Sequence, residues 1–340
     1  MNQLNSQPNA GISRLRNIRR KPVASSNEVT KGQIDGHTLP LVYKSENSSL
    51  SLSDWINKNK VQLETELLQH GALLFRGFSI EGEKGFENLI QSISDKPMLE
   101  YTNRSTPRSS VRGNVYTSTE YPADQEIALH NENAYTTSWP STLYFYSHTA
   151  AEQGGSTHIG DSRKVFQQID PAIRKRFAEK GVRYVRNYGE LDLPWEEVFQ
   201  TTDKLNVESQ CKERDINIEW LNNGERLRTW QNCQGVAQHP VTKEDVWFNQ
   251  AHLFHVSNLP QEIKESLQLI YAEEELPRHA FYGDGSSLEE SVLEEIRGIY
   301  KENEVVFPWQ QNDLMIVDNM LAVHGRKPFK GKRRILVGMT

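Results

Sequence analysis

The sequence is nearly without cysteine. Cys211 and Cys233 are the only two in 340 residues, too few for a disulfide framework, and neither stands in the Cys-x-x-Cys or Cys-His spacing of zinc or redox sites. A reducing cytoplasm is therefore the expected compartment. No apolar run approaches the roughly 20 residues of a membrane span, so no membrane association is expected. Charge of one sign is scarce as well: a net charge of -6 excludes the strongly basic domain of a nucleic-acid binder, and no groove-reading motif is present. No self-similar period suggests a solenoid or propeller. With 36% hydrophobic and 25% charged residues, the chain can bury one large core or two smaller ones.

Residues 1–36 are polar and are expected to form a loosely ordered arm, with Arg14, Arg16, Arg19, Arg20 and Lys21 as its basic stretch. That stretch lacks the apolar core of a secretory signal and reads as a solvated arm. Residues 37–340 read as one catalytic domain. "LSDWINKNKVQLETELLQHG" spaces Trp55, Ile56, Leu63, Leu67 and Leu68 as a helix, with Ser53 as N-cap and Gly71 as C-cap. "ALLFRGF", "STLYFYSHTA", "DLMIVDN" and "RRILVGM" read as strands. Between about 165 and 300 the chain turns helical and charged, which predicts a helical insertion between two β-rich ends.

The stretch "LHNENAY" places His130 and Glu132 two apart, just after Ile127 and Ala128. In an extended segment such residues point to one side, so an imidazole and a carboxylate converge. Far downstream His324 follows an apolar strand. Two histidines and a carboxylate form the facial triad of non-haem Fe(II) enzymes, and the same set suits a catalytic zinc. Arg333 and Arg334 weigh toward iron, because a cosubstrate such as 2-oxoglutarate has a far carboxylate that needs a fixed guanidinium fork, whereas zinc hydrolysis has no such need.

Over most of its length, from about Arg19 onward, the chain resembles the taurine dioxygenase and clavaminate synthase-like Fe(II)/2-oxoglutarate dioxygenases, most closely the syringomycin-type amino-acid β-hydroxylases. The resemblance runs through "RRKPV", "HGALLFRGF", "LHNENAY", "WPSTLYFYS", "GGSTHIGDSR", "GVRYVRNY", "HPVTKEDVWFNQAHLFHVS", "LPRHAFYGDGS" and "FPWQQNDLMIVDNMLAVHGRKPFKGKRRILVGM". It implies a mainly β fold with flanking helices, a double-stranded β-helix or jelly-roll core. It also implies His130, Glu132 and His324 as iron ligands, with 2-oxoglutarate and dioxygen as cosubstrates. Thr157 matches the threonine that holds a 2-oxoglutarate carboxylate, and Arg334 matches the arginine that opens the last strand. By this reading Arg333 points to the opposite face. Glu132 stands where most relatives carry Asp. Halogenating relatives lack this carboxylate, so its presence here favours oxygen insertion.

The implied reaction is hydroxylation of an unactivated carbon in an amino acid or amino-acid derivative, in natural-product (antibiotic) biosynthesis. A substrate tethered to an acyl or peptidyl carrier protein is the alternative, which the basic arm could meet, and desaturation or cyclisation is a further one. A non-catalytic binding protein on the same fold would have no chemical reason to keep the whole set. Arg186, Asn187, Asn249, Gln250 and Arg278 are the candidates to hold a small amino-acid-type substrate. His252 and His255 either line that pocket or pack in the core. "YGDG" at Tyr282–Gly285 is a tight turn.

Overall fold

The computed structural model describes residues 28–100, 109–118, 121–189 and 191–340; the basic stretch Arg14–Lys21 lies outside them. Within the span expected as an arm, Val29–Ile34 is instead a strand that pairs antiparallel with His37–Ser45 through a bulged turn. Strand His37–Ser45 then runs parallel to Ala72–Arg76, and the helix Leu52–His70 makes the crossover. The cap of that helix lies two residues before the expected one. Ser51, not Ser53, accepts the Asp54 N–H on its side-chain oxygen, and Gly71 ends the helix at φ 77°, a left-handed turn that glycine adopts without steric cost.

The largest sheet has eight strands, in the order Val29–Ile34, His37–Ser45, Ala72–Arg76, Leu314–Asp318, Thr142–Thr149, Arg334–Met339, Val115–Thr117 and Ser110–Arg112. Its central strands are apolar on both faces, as strands buried on both sides must be. Leu73, Phe75, Tyr144, Tyr146, Ile316 and Leu336 pack with Ile56 and Leu63 of the first long helix and with Phe86, Leu89 and Ile90 of the helix Gly82–Ile93. Leu74, Phe145, Met315, Val317, Ile335 and Val337 form the other face and pack with Ile159, Ala322 and the aromatic pair Phe307 and Trp309. Ile159 and Ala322 belong to a smaller sheet of three strands, Ile127–His130, Ala322–Arg326 and Ile159–Asp161. The architecture is thus mostly sheet with helices on the outside.

The segment expected to be a helical insertion does contain helices, at Pro171–Lys180, Gln261–Ile270 and Glu290–Glu302. It also carries a four-stranded antiparallel sheet, Asn217–Leu221, Arg226–Cys233, Val182–Tyr188 and Arg278–Tyr282, that its charge concealed. Arginines stand within these strands, and Arg186, Arg228 and Arg278 are held by carboxylates or side-chain amides, so polar positions do not mark loops here. Among the described residues no helix is long and apolar enough to cross a membrane.

Candidate active site

The small sheet builds the site through register. His324 stands directly opposite His130 in the antiparallel pairing of Ala322–Arg326 with Ile127–His130. Directly opposed side chains lie within contact distance, and the two imidazole centroids are 4.5 Å apart. Glu132 follows two residues past the end of that strand. His324 Nε2 and Glu132 Oε2 are 3.7 Å apart, beyond a hydrogen bond but within the span of two donors each about 2.1 Å from one shared ion. Donor atoms of His130, Glu132 and His324 all lie within 4.8 Å of one another. His130 Nδ1 donates to the Ala128 carbonyl at 2.8 Å, which makes Nε2 the ring nitrogen that carries the lone pair. Glu132 and His324 are both buried. This donor set and spacing fit a divalent transition metal.

Gly325 is what lets the centre strand come so close. A Cβ there would lie 2.0 Å from His158 Nε2 and 2.4 Å from the Ile127 carbonyl oxygen, so only glycine fits beside His324.

A pocket extends from the two histidines and is lined by Ser118, Phe145, Thr157, Arg326, Arg333, Ile335 and Val337. Of the neighbours Arg333 and Arg334, it is Arg333 that lines it, beside Arg326. The Arg333 guanidinium donates to the Gly155 carbonyl at 2.9 Å, to Ser118 Oγ at 3.2 Å and to Thr157 Oγ1 at 3.5 Å. Every one of these acceptors is uncharged. Burial, and then the positive charge of Arg326, pushes the Arg333 guanidinium down to about 9. Arg334, expected to serve the cosubstrate, instead pairs with Glu83 on the helix-covered side of the sheet. The reason is strand parity: Arg333, Ile335 and Val337 share the pocket face, while Leu336 belongs to the core under the helices. Gly338 lies on that outer face too, where a Cβ would lie 2.4 Å from the Ile90 side chain.

Thr157 is where it was expected, and buried. Its Oγ1 accepts the Trp309 indole N–H at 2.8 Å, so the hydroxyl proton is directed away from Trp309. Gly154 and Gly155 lead into this segment at φ 68° and 70°, and Gly155 presses against the Arg333 stem. Arg326 donates to the carbonyls of Tyr121, Pro122 and Gln125 and so ties that loop to the pocket wall.

The candidate substrate residues are otherwise engaged. Asn187 gives its amide to the Glu274 and Leu276 carbonyls and accepts from Arg228. Asn249 bridges the Gly235 carbonyl and the Ala251 N–H, and Gln250 donates to the Asn131 carbonyl at 2.7 Å. Arg186 and Arg278 face each other across their strands and share the buried carboxylate of Asp192, whose pKa those two arginines hold below the ordinary value against the opposing cost of burial. His252 stacks on Tyr300, and His255 on His279, both in the core. None of these residues lines the pocket beside His130 and His324. Sequence reading missed Ser118, Phe145, Trp309 and Arg326; only "FPWQQND" and "HGRK" offered a signal, since aromatic and basic residues beside strand ends are common pocket walls.

Two further groups of metal-type side chains are filled by protons or by an ammonium. His279 Nδ1 accepts the Val256 N–H and His255 Nδ1 accepts the Ser257 N–H, so both Nε2 atoms carry hydrogen, that of His279 pointing at Glu273. Between Glu126 and Glu304, beside His158, stands the Lys327 ammonium.

Comparison with known proteins gives a consistent result. The family described as taurine catabolism dioxygenase TauD, TfdA family matches residues 37–340. The dapdiamide synthesis protein DdaC of Enterobacter agglomerans is 45% identical over 274 residues, covering 80% of this chain and 83% of that protein. A clavaminate synthase-like protein of Arabidopsis thaliana is 30% identical over 295 residues, covering 84% and 86%. Among solved structures, PvcB from Pseudomonas aeruginosa shares the fold with a TM-score of 0.55 at 14% identity, over 93% of this chain and 92% of that one.

Proposed function

The chain belongs to the TauD, TfdA family of dioxygenases, and from that premise we propose that it is an Fe(II)- and 2-oxoglutarate-dependent hydroxylase of an amino-acid-type small molecule in natural-product biosynthesis. Its two facing sheets are then the double-stranded β-helix of such enzymes, spanning 37–340 as one domain with an inserted subdomain at about 165–300. The observation that carries the reading is that the two-histidine, one-carboxylate set and the buried cation Arg333 line one pocket. A buried guanidinium whose partners are all neutral is costly unless an anion joins it. The far carboxylate of 2-oxoglutarate is such an anion, whereas zinc hydrolysis leaves Arg333 without a purpose.

His130, Glu132 and His324 hold the metal, and Fe(II) bound there with 2-oxoglutarate and dioxygen supplies oxygen insertion into a C–H bond, with succinate and carbon dioxide released. Arg333 and the Thr157 hydroxyl bind the carboxylate remote from the keto group as a charge-assisted pair. Phe145, Ile335 and Val337 line the remainder with carbon and keep water out. The Glu132 carboxylate occupies a metal position that a halogenating enzyme leaves to chloride, which supports hydroxylation. The 45% identity to a dapdiamide synthesis protein supports a role in natural-product biosynthesis; the substrate is a free amino acid or small derivative, with a carrier-tethered aminoacyl group as the alternative. Buried free Cys211 and Cys233 suit a cytoplasmic enzyme.

The test is anaerobic addition of Fe(II) and 2-oxoglutarate, which should give a weak visible charge-transfer band, followed by dioxygen and a panel of amino acids with succinate and product mass as readouts. A gain of one oxygen is expected. Tight zinc retention with no band would overturn the assignment, and a chlorinated or desaturated product would overturn hydroxylation.

A further inference from the structure

Asn319 lies in the turn between the strand Leu314–Asp318 and the strand Ala322–Arg326 that carries His324. It is fully buried. Its side-chain oxygen accepts the Glu132 backbone N–H at 2.8 Å, and its side-chain nitrogen donates to the Glu132 carbonyl at 2.9 Å and to the Pro140 carbonyl at 2.9 Å. Its own backbone carbonyl accepts from the Asn131 side chain at 2.6 Å. We propose that Asn319 is a positioning residue for the metal centre, a side-chain amide that grips both backbone groups of Glu132 and so sets the carboxylate ligand against His324.

The need for such a grip follows from where the sheet ends. The ladder between Ile127–His130 and Ala322–Arg326 has its last paired position at His130 and His324. Glu132 lies beyond it, and Asn133 immediately after turns left-handed at φ 56°. A segment leaving a sheet has no partner strand for its N–H and C=O, and burying such groups without a hydrogen-bond partner is costly. A carboxamide presents one acceptor and two donors in a plane, the same pattern that a neighbouring peptide would offer, so Asn319 extends the pairing by one residue. Gln250 does the same for the preceding carbonyl, that of Asn131. A glutamate ligand has one more rotatable bond than an aspartate. Fixing its backbone therefore removes freedom that the carboxylate would otherwise lose on binding the metal.

Asn319 touches no reacting atom, so its effect must pass through Glu132. This rests on the metal-centre reading above, and the test separates the two. Binding of Co(II) to the metal-free protein is followed by calorimetry and by the visible spectrum of the bound ion, in the parent, Asn319→Ala, Asn319→Asp, Glu132→Ala and the double variant Asn319→Ala/Glu132→Ala. Outer partners of ligands are commonly worth about 10- to 100-fold in metal affinity, so Asn319→Ala is expected to weaken Co(II) by about that factor and to alter the spectrum. Asn319→Asp keeps the acceptor but loses both donors and sets an anion against two carbonyls, so it should weaken binding as well. In the Glu132→Ala background the Asn319→Ala loss should vanish, since the ligand it positions is gone.

Asp313→Asn is the control for a general loss of stability. It breaks the buried Arg76 pair at the opposite end of Leu314–Asp318 and should leave Co(II) affinity unchanged. If Glu132→Ala does not weaken Co(II), the metal centre is misassigned. If Glu132→Ala does weaken it while folded Asn319 variants bind within twofold of the parent, or the Asn319→Ala loss persists in the double variant, or Asp313→Asn weakens Co(II) equally, Asn319 is not a positioning residue. Should Asn319→Ala fail to fold, Asn319→Asp carries the test, alone and combined with Glu132→Ala, on the same criteria.

Discussion

Arg333 and Arg334 are neighbours in sequence that point to opposite faces of one sheet. Arg333 reaches Thr157 Oγ1 at 3.5 Å in the pocket beside His130 and His324, and Arg334 pairs with Glu83 outside it. One guanidinium is buried without a carboxylate, the other is a half-exposed ion pair of the kind that contributes little.

The first prediction follows from that contrast. Arg333→Gln removes the charged fork and should weaken 2-oxoglutarate binding by roughly 10- to 100-fold, in line with a charge-assisted hydrogen bond worth about 1.5–3 kcal/mol. Arg334→Gln should change it by less than about threefold, the scale of a surface pair. Titration of 2-oxoglutarate into the Fe(II) protein without dioxygen measures both. Equal losses, or the reverse order, would return the role to Arg334.

What the sequence could and could not reveal is clear at this strand. "RRILVGM" is apolar at every position from Ile335 onward except the glycine, because both of its faces are buried, so no alternation marks which arginine faces inward. Resemblance supplied a neighbouring residue, and only packing against the helix Gly82–Ile93 settles the parity. The candidate ligand set could be proposed from sequence because His-x-Glu is a local pattern and His324 lies in an apolar strand, and the structure brings the three side chains together. The four-stranded sheet was hidden because Arg228 and Arg278 are held by partners distant in sequence and Arg186 by Asp192 beyond the end of its own strand, which turns polar residues into interior ones. Asn319 was invisible for a related reason: nothing near it in sequence indicates that it grips a backbone almost two hundred positions away.

Removing a histidine ligand should separate metal binding from folding. The His130 ring is half-buried and packs against His324, so His130→Ala leaves only a small gap beside the pocket. Iron content and succinate formation should fall below about 1% of the parent, because each ligand is one of only three protein donors. Circular dichroism and the melting temperature of the metal-free protein should barely move. Activity retained in this variant would remove His130 from the metal set.

Acid should destabilise the fold earlier than carboxylate protonation alone would. Burial is the leading cause that pushes His158 and His252 down to about 3, and His255 and His279 down to about 4. In the unfolded chain each takes its proton near the ordinary 6.5. Between those values the unfolded state binds more protons, so stability falls as pH falls from 6.5 toward 4, by up to about 1.4 kcal/mol per pH unit for each histidine. The urea midpoint should be level above about pH 7 and drop steeply below about pH 6. His279→Asn should make that slope shallower. A midpoint unchanged from pH 7 to pH 5 would contradict the neutral buried state of these rings.

The last prediction separates a structural from a substrate role for Arg186 and Arg278. Their shared acid, Asp192, is 2.6 Å from Arg278 Nη2 and 3.1 Å from Arg186 Nη2, and almost wholly buried. Two guanidiniums meet at this one buried carboxylate, and a substrate carboxylate is the rival partner for them. The hydrogen bonds favour Asp192, since it engages Nε and an Nη of each arginine, the fork that a substrate would need. Asp192→Asn keeps the shape and removes the charge, so it should cost about 3 kcal/mol of stability, the scale for breaking a buried pair. If the cluster only holds the strands Val182–Tyr188 and Arg278–Tyr282 together, the KM for the amino-acid substrate should stay within about twofold in the protein that remains folded, a difference under about 0.5 kcal/mol. If instead the arginines bind the substrate, freeing them from Asp192 should lower that KM several-fold. Measuring the melting temperature and the substrate KM on the same preparation decides between the two.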